Sequence, residues 1–422
     1  MSADRVGIWG FGREGRAAWR WLTATAPGGP VVVVDDAPAR VHETAPDVEV
    51  ADFDALLSCA TVWTSPGIRP NDPRRVALLD AGVTLRTGTD EFMARAGART
   101  VGVTGTKGKS TTSSFVRDLL VASGRRAELA GNIGVPLLDL LDPATGEPRD
   151  PEALFVTELS SYQCSALHHS PAVAVVTQLY ADHLAEHGGL EDYWAAKARI
   201  YTHGARALVA LPETLVKLRS VAAPPAGTTV VTPPPLPPLT AALPRHVAEN
   251  LRVAVAGVAA MLGAPVPPAV VDAVAGAYAP LPHRQVVVSG ARGVTWVDDA
   301  LATTQESVLA ALDAFPHARL AVVLGGKDRG QPVDRLGPAL VARDATALLV
   351  GATADRFAAE LGAAGVTPVV VGTVAAGVAW VADHADAVDV CLLSPGAASY
   401  DQFDDHAHKG AVFAAAVAAL PS

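Results

Sequence analysis

The stretch Thr104-Gly105-Thr106-Lys107-Gly108-Lys109-Ser110-Thr111-Thr112 constrains this chain more than any other. It follows the apolar run Thr100–Val103 and opens the helical pattern SSFVRDLLVASG. A glycine-rich loop between a strand and a helix offers backbone N–H groups to phosphates. Lys109 would reach the β- and γ-phosphates, and the Ser110 hydroxyl would ligate Mg²⁺. Val103 stands where the usual GxxxxGK[ST] pattern has its first glycine, so the loop is a shorter GTxGKST variant. Gly105, Thr106, Lys107, Gly108, Lys109, Ser110 and Thr111 are therefore predicted to hold ATP.

The same strand-then-helix rhythm runs along the chain. Arg5–Trp9 enters a glycine turn and the helical AAWRWLTA, and Val31–Val34 and Thr61–Thr64 follow. Leu154–Thr157 and Val173–Gln178 continue the second system. Leu320–Leu324, Ala347–Val350 and Val390–Leu393 form a third. This alternation predicts an α/β protein of three domains with mostly parallel sheets. The expected divisions are 1–96, a Rossmann-like domain, 97–282, a P-loop domain, and 283–422, a second Rossmann-like domain. Ala222–Pro244 is proline-rich and reads as a surface excursion of the middle domain.

Composition removes several function classes. Lys and Arg total 33 against 43 Asp and Glu, a net charge of -10, so phosphate neutralisation offers no general attraction to nucleic acid. Cys59, Cys164 and Cys391 are far apart, with no metal spacing and no disulfide framework, as suits a reducing cytosol. The glycine motif begins at Gly10, leaving no room for a signal peptide. Val253–Val271 is uncharged, yet Gly257, Gly263, Pro265, Pro267 and Pro268 interrupt it. It reads as two helices joined by a proline turn rather than a membrane span.

Two further groups of residues carry chemistry. Gly10-Phe11-Gly12-Arg13-Glu14-Gly15 sits between a strand and a helix, and Asp35 ends the next strand. This pattern brings a phosphate close to a helix N-terminus and a carboxylate to a ribose hydroxyl, with NAD as the obvious ligand and a ligand-free tight turn as the alternative. Glu158 ends the strand LFVTE, Asp182-His183 follows VAVVTQLY, and Lys197 lies in the helical YWAAKARIY. Singly, these read as a strand end, a solvated loop histidine and a surface lysine. Their order after a phosphate loop makes Glu158, His183 and Lys197 candidate metal ligands.

As a set, the motifs resemble the Mur ligases, the ATP-dependent amide ligases of cytoplasmic peptidoglycan synthesis. TGTKGKSTT, GNIGVP at 131–136, ELSSYQ at 158–163, Asp182-His183, AAKARI at 195–200, PLPHR at 280–284, LGGKDRG at 324–330 and LLSPGAAS at 392–399 occur in family order. Within the family the chain looks like the enzymes that add glutamate to UDP-N-acetylmuramoyl-L-alanine. The resemblance implies that Ser110 and Glu158 hold one Mg²⁺, and that His183 and a carbamylated Lys197 hold a second. Asn250 would contact adenine, and Arg284 and Asp299 would hold ATP from the third domain. Gly10, Gly12, Arg13, Glu14, Gly15, Asp35, Ser65, Gly67 and Asn132 would bind the UDP-sugar instead of NAD. Thr303, Arg329 and Ser399 would bind glutamate. The implied reaction passes through an acyl phosphate with closure of the third domain, in a soluble, cytoplasmic monomer without membrane or nucleic-acid partners.

The chain departs from the D-glutamate-adding pattern at Asp298-Asp299-Ala300-Leu301-Ala302-Thr303, where NDSKAT is usual and Leu301 replaces a lysine. Arg329 replaces another lysine, His406 an aromatic residue, and Val247 the first Asn of HNxxN. An arginine presents a bidentate fork that a lysine lacks, which alters how a carboxylate is seated. With WGFGREGRAA, ATT at 302–304 and GGKDRG, these departures look more like a variant subfamily that adds L-glutamate and relies on a separate epimerase. D-glutamate addition is the alternative. A nicotinamide dehydrogenase and a non-catalytic nucleotide-binding regulator are the rivals from other classes.

Overall fold

The computed structural model describes residues 5–241, 243–279, 282–289 and 291–420. Pro280 and Leu281 of the PLPHR motif lie outside the described residues. The chain forms two compact units, 1–277 and 278–422.

The first unit contains two parallel sheets. One has the order β3-β2-β1-β4-β5. Its strands are β1 (Val6–Trp9), β2 (Val31–Val34), β3 (Glu49–Val50), β4 (Thr61–Thr64) and β5 (Thr84–Arg86). The other has the order β11-β10-β9-β6-β8-β7. It comprises β6 (Thr100–Thr104), β7 (Ala127–Gly131), β8 (Leu154–Glu158), β9 (Val173–Val176), β10 (Ala207–Ala210) and β11 (Thr229–Val231). β9 and β10 are continuous apolar runs, and they and β6 are buried throughout, as expected of parallel strands covered on both faces.

One core ties the two sheets together. Ile8, Trp21, Val33 and Trp63 from the first belong to the same apolar cluster as Phe92, Leu138, Phe155 and Val176. Phe92 meets Phe155 edge-to-face at 5.3 Å. The Arg20–Asp139 ion pair adds a polar link outside this cluster.

The second unit holds a six-stranded sheet of order β12-β13-β17-β14-β15-β16. These strands are β12 (Val286–Ser289), β13 (Thr295–Asp298), β14 (Leu320–Leu324), β15 (Thr346–Val350), β16 (Val369–Gly372) and β17 (Val390–Leu393). Only β12 runs antiparallel. An apolar cluster on each face buries the sheet, one around Val322 and Phe357 and one around Trp296 and Phe413.

The interval 222–244 differs from the sequence expectation, because it contains β11. The β-branched run Thr228–Thr232 lies between prolines and pairs only with β10. An edge strand tolerates flanking prolines because its outer face needs no ladder hydrogen bonds. Helices Arg245–Leu262 and Pro268–Gly276 occupy the uncharged stretch, and among the described residues no helix is long and apolar enough to cross a membrane. The three cysteines are buried and free.

Phe155→Ala removes a 1%-exposed ring from the shared core. It should lower the stability of the first unit by about 3–5 kcal/mol in urea unfolding.

Candidate active site

Parallel pairing sets the site at the C-terminal ends of the central strands, where α/β sheets present their ligand loops. Register places Val103 beside Glu158, Glu158 beside Gly131, and Thr104 beside Val176. The phosphate loop, Glu158 and the GNIG turn thus leave the sheet side by side.

The loop is held from behind. The Thr106 N–H donates to Gln178 O at 2.7 Å, and the Thr177 hydroxyl lies 2.5 Å from Lys107 O. Gly105 has φ +146°, and a Cβ there would stand 1.9 Å from Thr177 Oγ1. Gly108 has φ +84° and precedes helix Lys109–Ala122, and its absent Cβ leaves room for Asn250 Oδ1. Ser110 and Thr111 occupy the buried first turn of that helix. Asn250 reaches the loop from helix Arg245–Leu262 and is itself buried.

Two lysines converge on this loop. Lys109 Nζ donates to Gly105 O and Thr106 O, each at 3.0 Å. Lys197 Nζ donates to the same Gly105 O at 2.9 Å, and its side chain is 1% exposed. Burial first, and the neighbouring Lys109 charge second, push Lys197 down to about 7. Near neutral pH much of Lys197 is a free amine. Tyr193 fixes its place, with the ring centroid 4.8 Å from Lys197 Nζ and the hydroxyl 3.1 Å from Thr106 Oγ1. Burial raises the Tyr193 pKa, so the phenol stays neutral.

Glu158 is buried beside these groups. Asn132 grips it twice: its N–H donates to Glu158 O and its Nδ2 to Glu158 Oε1, both at 2.8 Å. The other oxygen, Oε2, is buried without a hydrogen-bond partner among the described residues. A buried carboxylate oxygen left this way is costly, and a cation satisfies it. Among the described residues no three His, Cys, Asp or Glu side chains form a metal cluster. A divalent ion here would thus rest on Glu158 and on ligand phosphates, and the residues present fit that arrangement.

His183 takes a left-handed backbone, φ 51°, and stays partly exposed, with its ring 5.7 Å from Tyr162. A non-glycine residue held in this region stores strain that the surrounding structure must maintain. His187 is more deeply placed than a solvated loop histidine. It is buried, with Nε2 3.0 Å from Ser161 Oγ and its ring 5.3 Å from Tyr193. Burial, Lys197 and His183 together push His187 down to about 4, so it is neutral at working pH. Its spacing of four residues from His183 was the available sequence signal.

In the first sheet, Gly15 lets helix Arg13–Thr25 pack on the turn, since a Cβ would stand 2.0 Å from Gly10 O. Gly10 has φ +87°, and Ser65 Oγ donates to its carbonyl at 2.6 Å. Gly12 and Gly67 face open space and have ordinary φ, so their bareness serves no internal packing and leaves access for a ligand. Asp35 accepts the N–H of Phe11 at one oxygen and that of Ala37 at the other. Arg13 Nη2 donates to Gly131 O at 2.9 Å. Glu14 is partly buried, and burial raises it to about 7.

In the second unit, Arg284 lies between His283 and Gln285, both at positive φ. His283 Nδ1 is 2.7 Å from Asp298 Oδ2, and Asp299 Oδ2 accepts the Ser394 hydroxyl at 2.7 Å. Thr303 follows in the same loop. The Arg329 guanidinium is 5.7 Å from the Tyr400 ring centroid, and His406 faces His283 at 5.8 Å between centroids. Ser399 Oγ is buried without a hydrogen-bond partner among the described residues. Sequence reading missed Lys409, which is fully buried, donates to Gly325 O at 3.1 Å and is pushed down by burial to about 8.

Gly108→Ala would press a methyl group into Asn250 at a left-handed position. Strain of about 1–3 kcal/mol predicts roughly five- to hundredfold weaker ADP binding by calorimetry with the fold retained.

The Mur ligase middle domain matches residues 103–215, and the Mur ligase glutamate ligase domain matches residues 283–397. A Micromonospora protein named UDP-N-acetylmuramoyl-L-alanine--L-glutamate ligase is 40% identical over 444 aligned residues, covering 98% of this chain and 96% of its own. A Dinoroseobacter shibae protein named UDP-N-acetylmuramoylalanine--D-glutamate ligase is 33% identical, covering 99% of this chain and 98% of its own. The crystal structure of MurF ligase from Thermotoga maritima in complex with ADP shares the fold, with TM-score 0.60 at 16% identity over 94% of this chain and 97% of that one. Two family domains and full-length relatives above 30% identity agree with the loop, strand and lysine geometry, and the chain belongs to the Mur ligase family.

Proposed function

We propose that this enzyme uses ATP to join glutamate to UDP-N-acetylmuramoyl-L-alanine, releasing ADP and phosphate. The observation that carries the reading is the convergence of Lys109 and Lys197 on the Gly105 carbonyl, beside a Glu158 oxygen that lacks a partner. Lys109, together with a cation at Glu158, would gather and neutralise phosphate charge there, as phosphoryl transfer to a carboxylate requires.

In this reading, 97–282 carries ATP, 1–96 the UDP-sugar and 283–422 the glutamate. The terminal carboxylate of the alanine attacks the γ-phosphorus and ADP departs, giving an acyl phosphate. Lys109 swings from its loop carbonyls to the transferring group. The glutamate amine then attacks the acyl carbon, loses a proton and expels phosphate, leaving the amide. Mg²⁺, when bound, would withdraw electron density from the phosphoryl group, held by Ser110 and Glu158 at one site and by His183 and Lys197 at another. Lys197 qualifies only as its carbamate, because an ammonium repels a cation. Its free amine at neutral pH is the form that captures carbon dioxide. Asn250, Arg284 and Asp299 are assigned to ATP, and Thr303, Arg329 and Ser399 to glutamate.

L-glutamate is the preferred acceptor, with an epimerase acting on the product. Two relatives named for L-glutamate are 40% and 38% identical, while relatives named for D-glutamate are 33–34% identical and a third named for L-glutamate is 32%. Leu301 and Arg329 support the same choice, since they change the cations at the amino-acid site. A cytoplasmic monomer is the corresponding expectation. No observation favours a dehydrogenase.

Phosphate release from ATP with UDP-N-acetylmuramoyl-L-alanine should occur with L-glutamate and be at background with D-glutamate. Release with D-glutamate alone would reverse the stereochemical assignment. Release with neither would overturn the substrate assignment.

A further inference from the structure

Arg13 opens helix Arg13–Thr25 directly after the first glycine turn, and its guanidinium crosses to the second sheet of the same unit. Nη2 donates to Gly131 O at 2.9 Å over a sequence separation of 118 residues. Gly131 is the last residue of β7 and has φ +107°. A Cβ there would stand 2.5 Å from Glu158 O, so the two backbones are in direct contact. The next residue, Asn132, is the one that grips Glu158 through both its N–H and its side chain. A continuous line of contacts therefore runs from the glycine turn through Arg13, Gly131 and Asn132 to the carboxylate with the unpartnered oxygen.

Arg13 as a whole is exposed, while its bond to Gly131 O is partly buried. The guanidinium carries five N–H donors in a rigid fork, so donors remain for an anion at the turn while Nη2 holds Gly131. Gly12, beside it, leaves open space for such an anion. We propose that Arg13 is a positioning residue that sets the Asn132–Glu158 pair and so couples the glycine turn to cation affinity at Glu158. This rests on the ligase reading for what occupies the turn, but the contact line itself does not. Coupling of this kind is reciprocal, so an anion that orders Arg13 tightens cation binding and the converse.

The test is Mn²⁺ binding to the full chain in the presence of saturating ADP, read by electron paramagnetic resonance of free Mn²⁺, with no sugar nucleotide added. Arg13→Met keeps the side chain's length and removes its donors. It should weaken Mn²⁺ about three- to tenfold, the loss of one charge-assisted hydrogen bond passed partly to the site. ADP affinity in excess chelator should be unchanged, which also reports an intact fold. Arg13→Lys, still able to donate to one carbonyl, should recover part of the loss. Arg20→Ala removes the Arg20–Asp139 ion pair, a link that does not touch Gly131, and should leave Mn²⁺ affinity unchanged. Unchanged Mn²⁺ affinity in Arg13→Met would overturn the proposal. An equal loss in Arg20→Ala would also overturn it, by assigning the effect to general loosening. A wrong substrate assignment shows up separately, as absent phosphate release with the Mn²⁺ effect intact.

Discussion

The buried contact between Lys197 and the Gly105 carbonyl is the interaction on which the site turns. An ammonium in this position has lost its water, shares one carbonyl with Lys109 and lies on the face of Tyr193. Desolvation and like charge both oppose its protonation. One carbonyl oxygen cannot compensate two ammonium groups, so the arrangement favours the neutral amine of Lys197 and leaves the Lys109 charge to meet phosphate oxygens over the loop. Glu158 presents the complementary problem, a buried carboxylate with one unpartnered oxygen. Each group is unfavourable by itself, and both become favourable when a divalent ion and a polyphosphate share the site. The loop is tied beside the fully buried strands β6 and β9 by the Thr106–Gln178 and Thr177–Lys107 hydrogen bonds.

The first two sheets act together for a physical reason. The core that contains Trp21 and Trp63 also contains Phe92 and Phe155, so movement of the glycine turn against the phosphate loop would expose apolar surface. A ligand bound at the turn would thereby be kept in register with the strand ends that carry Glu158 and Gly131.

Much of this was legible in the sequence. The phosphate loop, the glycine turn and the central strands are local patterns, and runs such as Val31–Val34 and Leu320–Leu324 state their burial outright. Less legible were β3, β5, β11, β12 and β16, whose exposed or half-buried residues lack a continuous apolar signal, and β7, β10 and β13 were not read either, being short runs. Contacts formed only by folding were hidden as well. Asn132 and Glu158 are 26 residues apart, and nothing local pairs them. His187 looks like any loop histidine until Ser161 and Tyr193 are packed on it. Lys409 looks like a surface helix lysine until folding buries it against the Gly325 carbonyl. Asp35 keeps its place at the strand end, but backbone N–H groups already use part of the acceptor capacity that the motif reserves for a ribose.

The central claim is that burial makes Lys197 an amine that becomes a carbamate. Its value in the fold, about 7, lies below the usual lysine range, so the neutral fraction grows as pH rises from 6 to 8. The direct measurement is ¹³C NMR of the protein equilibrated with ¹³C-bicarbonate across that range. A single protein-bound carbamate resonance is predicted, growing with pH and absent in Lys197→Ala. Full ligase turnover with no such resonance at any pH would contradict the account.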